Sequence, residues 1–177
     1  MEPRFNVTYP GFSDPSDEDY DPMFDEIVAW TNAKDAYFKT QKGGPRLKFS
    51  AMLFKENHIH NLSLLRSDMV KGEYEHSGYV KFMVEDPKQR TIYAPTYRDK
   101  IVQHMINNVL RDFYEPKFIY DSYACIRGKG THRAVKRIQH FQMSAKDTYE
   151  DPYHLKLDVS KFFYTIDRDV LKAIIRR

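Results

Sequence analysis

The stretch LKLDVSKFFYTID, residues 155–167, decides how the rest of the sequence is interpreted. Residues 153–159 alternate polar and apolar side chains, and this period of two predicts a β-strand with one buried face. The strand delivers the carboxylate of Asp158, and Asp167 is a candidate N-cap for a helix over residues 168–177. A carboxylate at the tip of a strand supplies a hard oxygen ligand for a divalent metal ion, but the same position is also common for a turn or cap residue.

Composition indicates a soluble protein with one ordinary domain, or a small domain with an arm. The 177 residues are 41% hydrophobic and 30% charged, and no apolar run is long enough to span a membrane. The N-terminus lacks the basic start and apolar core of a signal peptide. A single cysteine, Cys125, cannot form an internal disulfide, which fits a reducing cytoplasm.

The net charge of +3 conceals an uneven distribution along the chain. Residues 14–26 carry seven acidic side chains and no Lys or Arg, and we interpret residues 1–22 as an acidic arm that is extended or poorly ordered. Residues 81–137 are rich in Lys and Arg, interleaved with Tyr and Phe. This combination is typical of a nucleic-acid groove, where cations neutralise phosphates and aromatic rings stack on bases; a solvated charged surface is the alternative interpretation.

The remaining patterns predict an α+β fold of helices and one β-hairpin. Apolar spacing and turn signals predict helices over 23–40, 46–69, 98–113 and 132–144, and hairpin strands over 78–84 and 90–94. Lys88 and Arg90 lie near the hairpin tip, where they can present two cations to a flexible polyanion.

The stretch SYACIRGKGTHRAV, residues 122–135, places glycines around Lys129 and Thr131 as a candidate N-cap of the following helix. Glycines, a cation and a helix start together form a natural seat for a phosphate group. The spacing is not that of a P-loop, and a generic Gly-Lys-Gly turn is the alternative.

Taken in order, three of these stretches resemble the motifs of bacterial reverse transcriptases. RTIYAP (90–95) followed by RDKIVQH (98–104) looks like the first fingers motif, and residues 122–135 are similar to the second. Residues 155–167 look like motif A, which opens the palm. The Ser-Tyr-Ala-Cys variant, followed by Gly-Lys-Gly-Thr-His, resembles the diversity-generating-retroelement and related unclassified prokaryotic branches. Group II intron enzymes, the related alternative, more often carry a Gly-Phe-Arg-Pro-Gly-Arg type stretch there.

The resemblance implies a reverse-transcriptase fingers subdomain over 23–150 and the first strand and helix of a palm over 151–177. Asp158 and the Val159 backbone carbonyl would ligate the catalytic Mg²⁺ ions, and Phe163 would act as the steric gate that selects deoxynucleotides. Lys88 and Arg90 would hold the nucleoside triphosphate. Contacts with the template and primer are implied for a further set of cations: Lys100, Arg127, Lys129 and Arg133.

The implied reaction is two-metal nucleotidyl transfer, in which a DNA or RNA primer is extended with deoxynucleoside triphosphates along an RNA template. The family also needs an Asp-Asp turn, further palm strands and a thumb, none of which this sequence contains. We therefore expect the 177 residues to be inactive alone and the 151–177 segment to pack less well than the fingers. The alternatives are an RNA-binding module without catalysis and a defence-type relative that makes untemplated DNA; no sequence signal specifies an oligomeric state.

Overall fold

The computed structural model describes residues 21–42, 49–85 and 87–175, and over these residues the protein is α+β, with helices and one two-stranded antiparallel hairpin, as the sequence predicted. The chain divides into two compact units between Phe118 and Ile119, which are described separately. The N-terminal unit contains α1 (Pro22–Val28), α2 (Trp30–Thr40), α3 (Phe49–Glu56), α4 (His58–Val70), β1 (Tyr79–Glu85), β2 (Gln89–Pro95), α5 (Tyr97–Tyr114) and a 3₁₀ turn (Glu115–Lys117). The C-terminal unit contains α6 (Thr131–Thr148), α7 (Phe162–Thr165) and α8 (Arg168–Ile175).

Helix α5 is the centre of the N-terminal unit. Its apolar stripe, predicted from spacing, is confirmed for Ile101, Val102, Met105 and Val109, which are buried. Ile106 and Phe113, which the spacing also assigns to the stripe, are 37% and 44% exposed. Ile101, Val102 and Met105 join one core with buried residues of α2 and α4. The α2 contribution includes two fully buried alanines, Ala33 and Ala36, whose small side chains allow close approach between the packed helices.

The predicted single helices over 23–40 and 46–69 are each divided in two, and in this respect the sequence interpretation was wrong. The breaks fall at Ala29, whose backbone is extended, and at Asn57. Side chains satisfy carbonyl groups near both breaks, which lowers the cost of interrupting a helix. Asn32 Nδ2 donates to the Ile27 carbonyl at 2.8 Å, and Asn61 Nδ2 donates to the Phe54 carbonyl at 3.0 Å.

The hairpin and the helix after it form as predicted, to within a residue or two. Strands β1 and β2 pair from Tyr79 opposite Pro95 to Glu85 opposite Gln89. Helix α5 is capped by Thr96, whose hydroxyl accepts from the Asp99 backbone N–H at 3.3 Å.

The predicted strand over 153–159 is absent, and residues 152–159 have no regular secondary structure. A strand needs a partner for its backbone hydrogen bonds, and among the described residues the two strands pair with each other. Within the C-terminal unit as described, no residue of α6, α7 or α8 is buried. The expectation that the C-terminal segment packs less well is therefore confirmed.

Two predicted helix starts in the C-terminal unit had different outcomes. Asp167 caps α8 as predicted, because its Oδ1 accepts from the N–H groups of Asp169 and Val170 at 2.9 and 3.1 Å. Thr131 does not cap α6; it is the first helical residue, and Gly130, with φ of 140°, occupies the cap position.

The predicted acidic arm, residues 1–22, lies outside the described residues except for its last two positions. There Asp21 Oδ1 accepts from the N–H groups of Met23 and Phe24 at 2.9 and 3.2 Å and so caps α1. Over the described part of the chain, none of the helices has both the length and the apolarity needed to cross a bilayer.

Replacing Ile101 by Ala should lower the free energy of unfolding by about 3 kcal/mol, because the fully buried side chain leaves a cavity in the core. Ile106→Ala is the matched control on the same helix, since that side chain is 37% exposed, and it should cost about 1 kcal/mol or less. Urea denaturation followed by circular dichroism measures both. Equal losses would contradict the assignment of the core stripe.

Candidate nucleic-acid interface

The β1–β2 hairpin is exposed on both faces. All seven residues of β1 are exposed, and in β2 only Ala94 and Pro95, next to the base, are half-buried. Lys88 lies in the turn and Arg90 pairs with Val84 at the start of β2, and both are exposed. Among the described residues no carboxylate pairs with either cation.

The hairpin base is fixed by Asp99, whose side chain is 0% exposed. Its carboxylate accepts from the Tyr74 hydroxyl at 2.8 Å, from the Ser77 backbone N–H at 3.1 Å and from the Thr96 hydroxyl at 2.7 Å. Tyr74 and Ser77 lie on the chain that enters β1, and Thr96 lies where the chain leaves β2. One carboxylate therefore ties both ends of the hairpin to α5.

These hydrogen bonds also set the ionisation of the network. Burial by itself raises the pKa of the Asp99 carboxyl, but the bonds from Thr96, Tyr74 and the Ser77 backbone outweigh it and hold that pKa below its ordinary value. Burial, and then the hydrogen bond to Asp99, raises the pKa of Tyr74 to about 12. At neutral pH the pair is thus a carboxylate and a neutral phenol that donates to it.

Arg98 makes further contacts next to the hairpin base. Its guanidinium donates to Asp68 Oδ2 at 2.7 Å and to the Glu75 carbonyl at 3.1 Å, and it lies 4.9 Å from the centre of the Tyr74 ring. The contacts of Arg98 and Asp99 were missed at the sequence level, where the two residues marked a helix start and part of the first fingers motif but were given no site role. Acidic residues are common in the first turn of helices, so the sequence does not distinguish a buried acid such as Asp99 from an exposed one.

Lys100, a predicted template contact, is half-buried on α5. His104 lies one turn further along the same helix. Burial, followed by the charges of Lys100 and Lys39, lowers the pKa of the His104 imidazole. The imidazole is therefore neutral at pH 7, and Lys100 supplies the positive charge at this point of α5.

In the C-terminal unit the three cations predicted to contact the template differ. Arg127 and Arg133 are exposed, and within the described residues neither has a side-chain partner. Lys129 is half-buried, and its Nζ donates to the Tyr120 carbonyl and lies 5.0 Å from the centre of the Tyr120 ring. The structure thus brings Lys129 against its own loop, whereas Arg127 and Arg133 remain accessible.

A further ion pair in this unit was not predicted. Arg137 Nε donates to Asp121 Oδ1 at 2.9 Å, and the Tyr123 hydroxyl donates to the same oxygen at 3.1 Å. The bond from Arg137 is the main reason why the pKa of the Asp121 carboxyl lies below its ordinary value. The two residues are 16 positions apart, beyond the spacing at which sequence patterns reveal a pair.

The motif A residues lie in an open segment. Asp158 and Val159 are exposed, and Phe163 on α7 is 86% exposed with its ring 5.3 Å from that of Phe162. One hydrogen bond, 3.0 Å between Gln142 Nε2 and His154 Nε2, links this segment to α6.

The residues present do not make a magnesium site by themselves. Over the described residues no cluster of three or more His, Cys, Asp or Glu side chains is arranged to hold a metal ion. Asp158 and the Val159 carbonyl supply oxygens of the kind that Mg²⁺ prefers, but they are only part of a six-ligand shell. No chemical step through magnesium follows from this donor set.

No family model matches the chain. It is similar to "Uncharacterized mitochondrial protein ymf11" of Marchantia polymorpha, with 29% identity over 80 residues. The matched stretch covers 45% of this chain and 10% of that protein, so it spans about a tenth of the length of this curated relative.

Replacing Asp99 by Asn should lower the free energy of unfolding by about 2–3 kcal/mol at pH 7. The NH₂ group of the amide is a donor, and it would face Tyr74, Ser77 and Thr96, which are themselves donors. The lowered pKa means that the carboxylate's contribution is complete above the ordinary Asp value, about 3.9, and is lost as pH falls through the folded value. The difference between wild type and variant should therefore shrink below about pH 4.

Urea denaturation between pH 7 and pH 2.5 measures this difference. Asp112→Asn is the matched control on α5, since Asp112 makes only an exposed pair with Arg111 and its loss should cost less than about 1 kcal/mol. A wild-type advantage over Asp99→Asn that grows on acidification would show that the network does not depend on the ionised carboxylate.

Proposed function

We propose that this chain forms part of an RNA-directed DNA polymerase, comprising the fingers and the motif A segment of the palm. Two observations support this proposal: the order of the three motifs, and exposed cations on the hairpin and around the start of α6. Lys88 and Arg90 project on a hairpin whose base is fixed by Asp99, and Arg127 and Arg133 are exposed around the start of α6. An arginine that has no internal partner binds a phosphate without first breaking an ion pair.

In this proposal the chain's own residues bind and orient substrates. Lys88 and Arg90 bind the triphosphate of the incoming deoxynucleotide, and Arg127 and Arg133 bind template phosphates. Phe163 contacts the sugar and excludes a ribose 2′-hydroxyl, for which its exposed ring is available. Asp158 is one of the carboxylates of a magnesium site, and the described residues do not complete its set of ligands.

The observation that carries the proposal is the contrast between paired and unpaired arginines. Arg98, Arg111 and Arg137 each contact a carboxylate of the fold. Arg90, Arg127 and Arg133 do not within the described residues, and all three are exposed and lie in the fingers motifs, whereas Arg98, which lies in the first motif as well, is paired with Asp68. The same contrast supports a second candidate, an RNA-binding module without catalysis, because phosphate binding by these arginines needs no metal ion.

Arg127→Ala should weaken binding of a fluorescein-labelled, mixed-sequence single-stranded RNA and reduce the slope of log Kd against log salt by about 0.7, the loss of one phosphate contact. Fluorescence anisotropy over a salt series measures both quantities. Arg111→Ala is the control, since it removes the same charge from a residue paired with Asp112 and should leave the slope unchanged. Asp158→Ala should also bind normally. Equal slopes for Arg127→Ala and Arg111→Ala would contradict a specific phosphate contact.

The 177-residue chain should bind an RNA template annealed to a DNA primer and fail to extend the primer with Mg²⁺ and all four deoxynucleoside triphosphates. The physical reason is that a single motif A carboxylate does not hold two metal ions in the required geometry. A denaturing-gel extension assay, with a retroviral reverse transcriptase as positive control, tests this. If the chain extends the primer and Asp158→Ala abolishes this extension, the chain holds a complete catalytic site and the prediction is wrong. If the chain does not bind the template, the proposed function itself is wrong.

A further inference from the structure

We propose that Asp121 and Arg137 form a clamp that holds the loop 119–130 on α6 and thereby presents Arg127 to nucleic acid. Lys129, which the family resemblance assigns to the template, supports this loop from inside instead. The inference rests on the proposed nucleic-acid function and assigns positioning roles to Asp121, Arg137 and Lys129.

The clamp joins the start of the loop to the second turn of α6 by two parallel hydrogen bonds. Arg137 Nε donates to Asp121 Oδ1 at 2.9 Å, and Nη2 donates to Oδ2 at 3.4 Å. The fork of the guanidinium thus faces both carboxylate oxygens, which fixes the direction as well as the distance of the contact. The Tyr123 hydroxyl donates to Oδ1 at 3.1 Å and brings a second point of the loop to the same carboxylate.

Aromatic rings from both elements enclose the same guanidinium. The Arg137 Cζ atom lies 4.4 Å from the centre of the Phe141 ring on α6 and 5.4 Å from that of the Tyr120 ring on the loop. Stacking on aromatic faces favours a planar, weakly hydrated cation in this position. Arg137 is therefore held on several sides, and its donors are directed to Asp121 rather than to an external ligand.

Lys129 closes the other end of the loop. Its Nζ donates to the carbonyl of Tyr120, nine residues earlier, and lies 5.0 and 5.5 Å from the centres of the Tyr120 and Tyr123 rings. An ammonium group in this position satisfies a backbone acceptor and makes cation–π contacts with two ring faces. Its charge is directed into the loop, which makes it a poor phosphate contact.

The backbone between these contacts needs such support. Cys125, a non-glycine residue, has φ of 58°, and Gly128 and Gly130 have φ of 76° and 140°. Left-handed conformations cost conformational free energy at residues other than glycine and persist when surrounding contacts fix them. Arg127 lies between the glycines and Cys125, exposed at the turn that the clamp stabilises.

The decisive test is Asp121→Asn, because simple electrostatics and the clamp predict opposite signs. Removing a negative charge from a polyanion-binding surface should tighten RNA binding if the carboxylate has no positioning role. If it positions the loop, the variant should bind labelled single-stranded RNA about three- to tenfold more weakly despite its more positive charge, since the charge-assisted bonds to Arg137 are lost. Anisotropy at constant salt measures the difference.

The matched control is Asp147→Asn in the same unit, an exposed acid on α6 with no ion-pair partner among the described residues. It changes net charge identically and should leave RNA affinity equal or slightly tighter. Hydrogen exchange of the backbone amides of 122–130 without RNA gives a readout that does not depend on binding, and exchange should be faster in Asp121→Asn than in Asp147→Asn. Combining Asp121→Arg with Arg137→Asp should slow it again, because the ion pair is restored in reverse.

Weaker RNA binding together with faster exchange in Asp121→Asn supports the proposal. Unchanged exchange overturns the clamp, and faster exchange with affinity equal to that of Asp147→Asn overturns its role in presenting Arg127. Failure of the wild-type chain to bind RNA would instead remove the proposed function, and exchange in Asp121→Asn would then decide the clamp alone. Lys129→Ala should show faster exchange with a salt slope close to that of wild type; a slope lowered as much as in Arg127→Ala would make Lys129 a phosphate contact.

Discussion

The burial of the Asp99 carboxylate is the constraint on which the N-terminal unit depends. A buried carboxylate is tolerated only when hydrogen bonds replace its hydration, and here the donors come from the chain entering β1, from Thr96 and from Tyr74. These donors converge only if the hairpin leaves and rejoins the helical core at the N-terminus of α5. The same network therefore stabilises the fold and sets the direction in which the exposed hairpin carries Lys88 and Arg90.

The cations form two groups: those that bind other groups of the protein and those that are exposed without such a partner among the described residues. Arg98 and Arg137 bind carboxylates of the fold and stack on rings, and Lys129 binds a backbone carbonyl. The donors of these side chains are directed to groups of the protein itself. Arg90 and Arg127 lack such partners within the described residues and are exposed, so the anchored cations hold in place the elements that carry the available ones. Positive charge alone does not distinguish the two classes, whereas contacts do.

This distinction also explains how much could be predicted from the sequence. The hairpin, the apolar stripe of α5 and the Asp167 cap are local patterns, and each was confirmed. The interruption at Ala29 depends on Asn32, which also donates to the Met105 carbonyl 73 residues away at 3.0 Å. The inward direction of Lys129 depends on Tyr120, and the position of Asp121 on Arg137. Such contacts are set by tertiary packing, which a single sequence does not display.

The predicted strand at 153–159, which is absent from the structure, is a second case in which tertiary packing decides the outcome. Its alternating pattern specifies which side chains a sheet would bury, but only a neighbouring strand supplies the ladder of backbone hydrogen bonds. Leu155 and Leu157 are 82% and 81% exposed, so the apolar half of the pattern has no partner in the described structure. A carboxylate acts as a metal ligand only when its backbone is fixed to within a fraction of an ångström. In the proposed polymerase, forming the strand and fixing Asp158 for a metal ion would therefore be one requirement, and strands that pair with 153–159 would meet both parts of it.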